Sequence, residues 1–352
     1  MSLNSDIPKS VARAWWSNAL QKHAGHDPTS PHTPVVPVDH IPLSKAGSGC
    51  FGSVFFCVPE HEVALATVPE DLSQAVVAVK VTAQGGQATA ADELKMLKYL
   101  EVQTPRFPSA EELFSKLLDW DASKLSGPSW IITSTWPVCT ALTNLTGLFS
   151  SLPEEFLWVV YIQMHRALDF LHDICDPPLA HGDIHTGNML IGYSDLDCSG
   201  LPKIRVIDFG FARLHLPNSI KHASHANLDR VRRDVYMTLE VLDSIAHEPT
   251  AKGLSRRPID YAASSREPSP SDKSQEFHDF HSALKNGLLS RINLPLNLRR
   301  DLWHKFGEYA TRSLAAVSDD STAKIRAVIQ EVTKPIVLEN HQRMHELLQQ
   351  SA

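Results

Sequence analysis

Nowhere in these 352 residues do two cysteines stand close enough to form a CxxC pair. Cys50, Cys57, Cys139, Cys175 and Cys198 are scattered. Their spacing indicates neither a zinc site nor a disulfide framework, and a reducing compartment, cytosol or nucleus, is the simpler home. No run reaches the roughly 20 consecutive apolar residues that a membrane helix needs. The start, MSLNSDIPKSVARAWWSNAL, has no cationic flank leading into an apolar stretch, so neither secretion nor a membrane partner is expected. Positive charge is not in excess either: 33 Lys and Arg against 40 Asp and Glu leave a formal charge of -7. General attraction to nucleic acid or anionic lipid is therefore not expected. Internal repeats and heptad runs are also missing. What is present is the composition of a globular protein, 43% hydrophobic and 21% charged, on a chain long enough to bury a sizeable core.

The pattern changes along the chain. Ala12, Trp15, Trp16 and Leu20 share one face of a short N-terminal helix, a spacing that predicts docking onto the domain. After the Pro-rich PTSPHTPVVPV come the β-prone runs GSVFFCV, VVAVKV and SWIITSTW, which read as a small antiparallel sheet. A helix, TAADELKMLKYLEV, interrupts them, with Leu94, Leu97 and Leu100 at helical spacing and Glu93 in its first turns. From Leu152 the pattern becomes long and helical, with Pro153 early in LPEEFLWVVYIQMHRALDFLHDI. Two short strands, MLIG and KIRVIDF, bracket a turn-rich segment, and helices resume at about Leu228. The polar, Ser- and Pro-rich stretch from about Leu254 to Glu276 is expected to be a mobile insertion; Ser269 and Ser271 within it are candidate regulatory positions or merely solvated serines. Helical patterning returns through EFHDFHSALKNGLL, NLRRDLWHKFGEYATRSLAAV and TAKIRAVIQEVTKPI.

Four motifs carry chemistry. In GSGCFGSVF, Gly47, Gly49 and Gly52 follow GxGxxG, with Val54 two residues on. Glycines let backbone amides approach a polyphosphate, although the same residues also make a plain tight hairpin. Strand pattern rather than helix after Gly52 disfavours a Rossmann turn. Lys80 stands in a nearly continuous apolar run, where a charge is costly unless it meets an anion, such as Glu93 or a phosphate; otherwise it must end the strand and reach solvent. In HGDIHTGN, Asp183 and Asn188 lie five apart, and Asp208 of VIDFG follows twenty residues later. Phosphoryl transfer requires a carboxylate beside the attacking hydroxyl and oxygen ligands for Mg²⁺ near the phosphates. Four such motifs in functional order are poorly explained as unrelated turns.

Together these residues resemble the protein kinase-like superfamily, over most of the chain from about Ile41 to beyond Asp234. The resemblance implies an α+β, bilobal protein kinase-like fold with an antiparallel β-rich N-lobe and a mainly helical C-lobe. Its divisions are an N-terminal extension at 1–40, an N-lobe and hinge at 41–136, and a C-lobe at 137–352 carrying the insertion at 254–276. It implies ATP and Mg²⁺ as cofactors, Asp183 as catalytic base, Asn188 and Asp208 as metal ligands, and Lys80 with Glu93 as the phosphate-positioning pair. Val54, Ala78 and Leu190 match adenine-sandwiching positions. Thr133 matches the back of that pocket, and Ser134 to Trp136 the hinge. Asp234 matches a buried aspartate that braces the catalytic loop; an N-cap or exposed ion-pair residue is the other reading.

The departures bear on substrate. Gly182 stands where many protein kinases have Arg, so activation by loop phosphorylation is not expected. His185 replaces a usual Lys and either donates to the transferring phosphoryl group or only orders the loop. HGDIHTGN is also similar to the loop of aminoglycoside and choline kinases. The segment between Asp208 and Asp234 is short and lacks APE; His215, His222 and His225 within it read as solvated rather than metal-binding. The expected function is a serine/threonine protein kinase with a protein substrate. The alternatives are a small-molecule hydroxyl kinase and an ATP-binding pseudokinase. Oligomeric state is not legible.

Overall fold

The computed structural model describes residues 9–24, 35–123, 126–193, 200–215, 224–246, 273–289, 294–295 and 297–351. Helix α1 (Lys9–Ala24) precedes a five-stranded antiparallel sheet. The sheet's first elements are β1 (His40–Gly49) and β2 (Gly52–Pro59), followed by short helices α2 (Glu60–Leu65) and α3 (Pro69–Ser73). Next come β3 (Val77–Thr82), α4 (Gln87–Gln103), β4 (Leu117–Trp120) and β5 (Trp130–Ser134), giving the order β1-β2-β3-β5-β4.

The two-residue period of a strand explains what each face does. Val77, Val79 and Val81 of β3 join Phe55, Cys57 and Ile132 in one buried cluster, which Trp16 and Leu20 of α1 cover. The Trp16 indole donates to the carbonyls of Pro37 (2.8 Å) and His40 (2.7 Å), and its ring meets Phe55 edge-on at 5.4 Å. Ala78 and Lys80 therefore take the opposite face, toward the rest of the molecule. The apolar run around Lys80 reflects a sheet covered on both sides.

The remaining elements are mainly helical. They are β6 (Cys139–Ala141), α5 (Glu154–Asp169), β7 (Leu179–Ala180), β8 (Met189–Gly192), β9 (Lys203–Val206), β10 (Arg213–Leu214), α6 (Ser224–Ala246), α7 (Gln275–Leu289), α8 (Leu298–Ala315) and α9 (Asp319–Ser351). Helix α5 is apolar on nearly every side, with all residues from Phe156 to Ile162 buried, as a helix at the centre of a core must be. Glu154 and Glu155 occupy its first turn, where the helix dipole favours negative charge, and Pro153 takes the N-cap. Strands β8 and β9 form a hairpin beside β6, and β7 pairs with β10.

The molecule is thus the two-lobed α+β structure that the sequence predicts: antiparallel sheet in the N-terminal half, mostly helix in the C-terminal half. It differs in detail. Strands β1 and β4 were not among the expected runs, α6 starts at Ser224 rather than about Leu228, and α9 continues past Pro335 to Ser351. The 254–276 insertion lies almost wholly outside the described residues, as do Ser269, Ser271, Cys198, His222 and the His225 side chain. Among the described residues, no helix is long and apolar enough to cross a membrane.

Candidate active site

A cleft of about 710 Å³ opens between the sheet and the helical lobe. Its roof is the β1–β2 hairpin, in which Gly49 pairs with Gly52 across the two-residue turn Cys50–Phe51. The glycine motif is therefore a tight hairpin and also overhangs the cleft. At Gly52 a side chain has no room: a Cβ there would sit 2.2 Å from the Val81 carbonyl oxygen. Phe51 at the tip meets Phe211 edge-on at 5.6 Å.

Lys80 projects from the cleft face of β3 into two carboxylates. Its Nζ lies 2.7 Å from Glu93 Oε2 on α4 and 3.0 Å from Asp208 Oδ1. The charge in the apolar run is thus paired rather than solvated, as burial requires. Burial works against the Lys80 ammonium, but the charges and hydrogen bonds of Glu93 and Asp208 outweigh it and hold its pKa above the usual value. Glu93 shifts upward because burial, together with the neighbouring Asp208 charge, exceeds the opposing pull of Lys80.

The HGDIHTGN loop is fixed from below. Asp234, in the interior of α6 and fully buried, accepts hydrogen bonds from the backbone N–H groups of His181 and Gly182, both at 2.7 Å, and pairs with His172 Nε2 at 3.0 Å. This excludes the N-cap and exposed ion-pair readings of Asp234. His181 Nδ1 accepts from the Asp183 amide (3.2 Å), so its Nε2 carries the proton donated to the Ile207 carbonyl (3.1 Å). Complete burial, against the pull of Asp234, keeps the pKa of that ring low. Gly182 has φ +82°, and a Cβ there would lie 2.9 Å from the Phe211 carbonyl oxygen. No arginine can take this backbone position without strain.

Above this support, Asn188 Nδ2 donates to both the Asp183 carbonyl (2.9 Å) and its Oδ2 (3.0 Å). The β8–β9 hairpin then brings Asp208 alongside, and the Ile207 amide bonds to the Asn188 carbonyl at 3.0 Å. Asp208 sits in the left-handed region, φ 65°, with Oδ1 accepting from the Gly210 amide at 3.4 Å. His185 is half exposed; its Nδ1 accepts from the Gly187 amide (3.0 Å), and its Nε2 lies 3.5 Å from Asp183 Oδ2. The loop-ordering contact is therefore present in the ring's own hydrogen bonding.

One cleft gathers the residues singled out from the sequence. Gly47, Gly49, Gly52, Val54 and Ala78 line it from the sheet. Lys80 and Glu93 line it as well, and Asp183, His185, Asn188, Leu190 and Asp208 line it from the helical lobe. Thr133 and Ser134 also reach it, with Ser134 still inside β5; Trp136 instead is buried beneath the Arg205 guanidinium, 4.1 Å from the ring centre. Sequence reasoning missed His172, Phe211, Asn144 and Ile336. An apolar residue at helical spacing, such as Ile336, carries no signal that separates a cleft wall from ordinary core.

Oxygen donors define what the site can hold. Asn188 and Asp208 offer an amide carbonyl and a carboxylate, the hard ligands that suit Mg²⁺. Among the described residues, no group of three or more His, Cys, Asp or Glu side chains is placed to hold a metal ion. Two protein oxygens would leave most of the coordination shell of such an ion to water and phosphate.

No family model matches this chain. The Serine/threonine-protein kinase-like protein CCR2 of Arabidopsis thaliana is 30% identical over 120 residues, which is 33% of this chain. The chain spans 14% of that relative's length. A likeness of this extent supports a protein kinase-like relationship at most.

Proposed function

We propose that the chain is an ATP- and Mg²⁺-dependent phosphotransferase of the protein kinase type, acting on Ser or Thr hydroxyls of a protein substrate. One observation carries the reading: Lys80, paired with Glu93 and Asp208, faces the same cleft as the Asp183–Asn188 pair. The partial similarity to a kinase-like protein supports it.

In this reading Lys80, held by Glu93, binds the α- and β-phosphates. Val54, Ala78 and Leu190 enclose the base. Asn188 and Asp208 would hold Mg²⁺, which when bound neutralises charge on the β- and γ-phosphates. Asp183 keeps one carboxylate oxygen on Asn188 and uses the other to orient the acceptor hydroxyl and finally take its proton. Asp234, His172 and His181 hold that loop from beneath. His185 orders the loop through the Gly187 amide.

The test is transfer of labelled γ-phosphate from Mg·ATP into a mixed protein extract and, separately, a small-metabolite extract, with Asp183→Asn as control. Label entering proteins and lost in the control is the expected result. Label entering only small molecules would replace the protein acceptor with a metabolite hydroxyl. No transfer with nucleotide binding intact would favour a pseudokinase.

A further inference from the structure

Helix α9 ties the two lobes together and passes the cleft on its way. With 33 residues it is about 50 Å long, enough to cross both lobes. Near its start, Ile325 and Ile329 are fully buried in the large-lobe core. Near its end, Met344 and Leu347 join Ile41, Val58 and Leu72 in a separate core under the sheet. Between these anchors, buried Ser44 of β1 donates to buried Asn340 at 2.5 Å. The Arg343 guanidinium lies 5.5 Å from the centre of the Trp15 ring on α1.

Ile336 falls between the two anchors and lines the cleft. Like Ala46 of β1 and Leu190 of β8, which also line the cleft, it is partly buried and packs against the apolar cluster that contains Cys139. The same cleft takes its charged groups from Lys80, Asp183 and Asp208, none of which belongs to that apolar cluster. Ala46 gives the cleft wall one methyl group, whereas Ile336, 290 positions further along the chain, gives it a branched aliphatic side chain. A branched aliphatic side chain offers contact to a flat apolar ring and nothing to phosphate.

We infer that α9 is a built-in wall of the nucleotide cleft and that Ile336 contacts the nucleoside end of the nucleotide. This rests on the nucleotide reading above. Ile336 then sets affinity for the base independently of Lys80, which acts on the phosphates alone.

The experiment measures binding of Mg·ATP and, by competition, of adenosine, to the full chain and its variants. Ile336→Ala should weaken both ligands by the same factor, roughly 3- to 10-fold for the apolar contact removed. Ile336→Trp should weaken both further by filling the space. Lys80→Met should weaken Mg·ATP and leave adenosine unchanged. Leu338→Ala, at an exposed position on the same helix, should change neither. Ile336→Val is the milder substitution, and a urea unfolding curve for each variant shows that α9 remains docked. Adenosine that fails to compete, or binds equally well to every Ile336 variant, would overturn the inference while leaving the nucleotide reading intact. Absence of Mg·ATP binding by the unaltered chain would overturn both.

Discussion

Asp234→Asn removes a charge and adds a donor without changing shape, at a site whose partners are all known. The carboxylate accepts three hydrogen bonds: Oδ2 from the His181 amide and His172, Oδ1 from the Gly182 amide. An asparagine oxygen can replace only one of these carboxylate oxygens. With it at the Oδ2 position, the new NH₂ faces the Gly182 N–H, and one charge-assisted bond, worth about 1.5–3 kcal/mol, becomes a contact between two donors. A buried N–H is then left unsatisfied, so the total expected loss is about 2–4 kcal/mol. Urea unfolding of the two proteins at neutral pH measures it. Phosphate transfer should fall as well, because His181 and Gly182 set the backbone that carries Asp183. A stability change below about 0.5 kcal/mol, the size of an ordinary surface substitution, would refute the reasoning.

Three further outcomes are expected. Lys80→Met should lower turnover with Mg·ATP steeply and also lower the urea midpoint, because it leaves the buried Glu93 carboxylate beside Asp208 without their shared cation; steady-state rates and unfolding curves check both. Trp16→Ala should destabilise the protein by about 3–5 kcal/mol, since the indole fills the outer core of the sheet and donates to two carbonyls, and urea unfolding reads the loss. His165, stacked on Trp303 at 4.0 Å, has its pKa lowered to about 3 by burial and then by the Arg299 charge. Its unfolded form takes a proton near pH 6.5, so stability is present above that value and lost as pH falls toward 3. Between pH 7 and 5 the protein should lose about 1–2 kcal/mol that His165→Phe does not lose.

Much of this was legible because local chemistry and tertiary structure agree. Alternation in VVAVKV places Lys80 on the cleft face, and the cost of burying its charge demands the partners it has. The spacing of Ala12, Trp16 and Leu20 describes the face that α1 buries. Strand β1 was illegible because Pro42 and Gly47 stand beside two irregularities in its pairing with β2, which break the two-residue period. Strand β4 is four residues long, at the edge of the sheet, with a register shift of its own. Helix α9 outruns its sequence signal because the cost of Pro335 within a helix, about 3 kcal/mol, is offset by packing against residues some three hundred positions away.

The site divides the same way. Asp183, Asn188 and Asp208 were singled out by their order in the sequence, and the fold brings all three to one cleft. The absence of an arginine at Gly182 was readable as a departure, whereas its reason, a positive φ against the Phe211 carbonyl, is a property of the folded chain. His172 and Ile336 carry no local mark; the fold alone brings them to Asp234 and to the cleft.

The central claim is that Asn188 and Asp208 complete a Mg²⁺-dependent nucleotide site opposite Lys80. Titration of ATP into the unaltered protein and Asp208→Asn, with and without Mg²⁺, tests it most directly. Binding by the unaltered protein should tighten when Mg²⁺ is added, and Asp208→Asn should lose that gain while keeping its fold. ATP binding that is absent, or that is equally tight with and without Mg²⁺ in both proteins, would contradict the account.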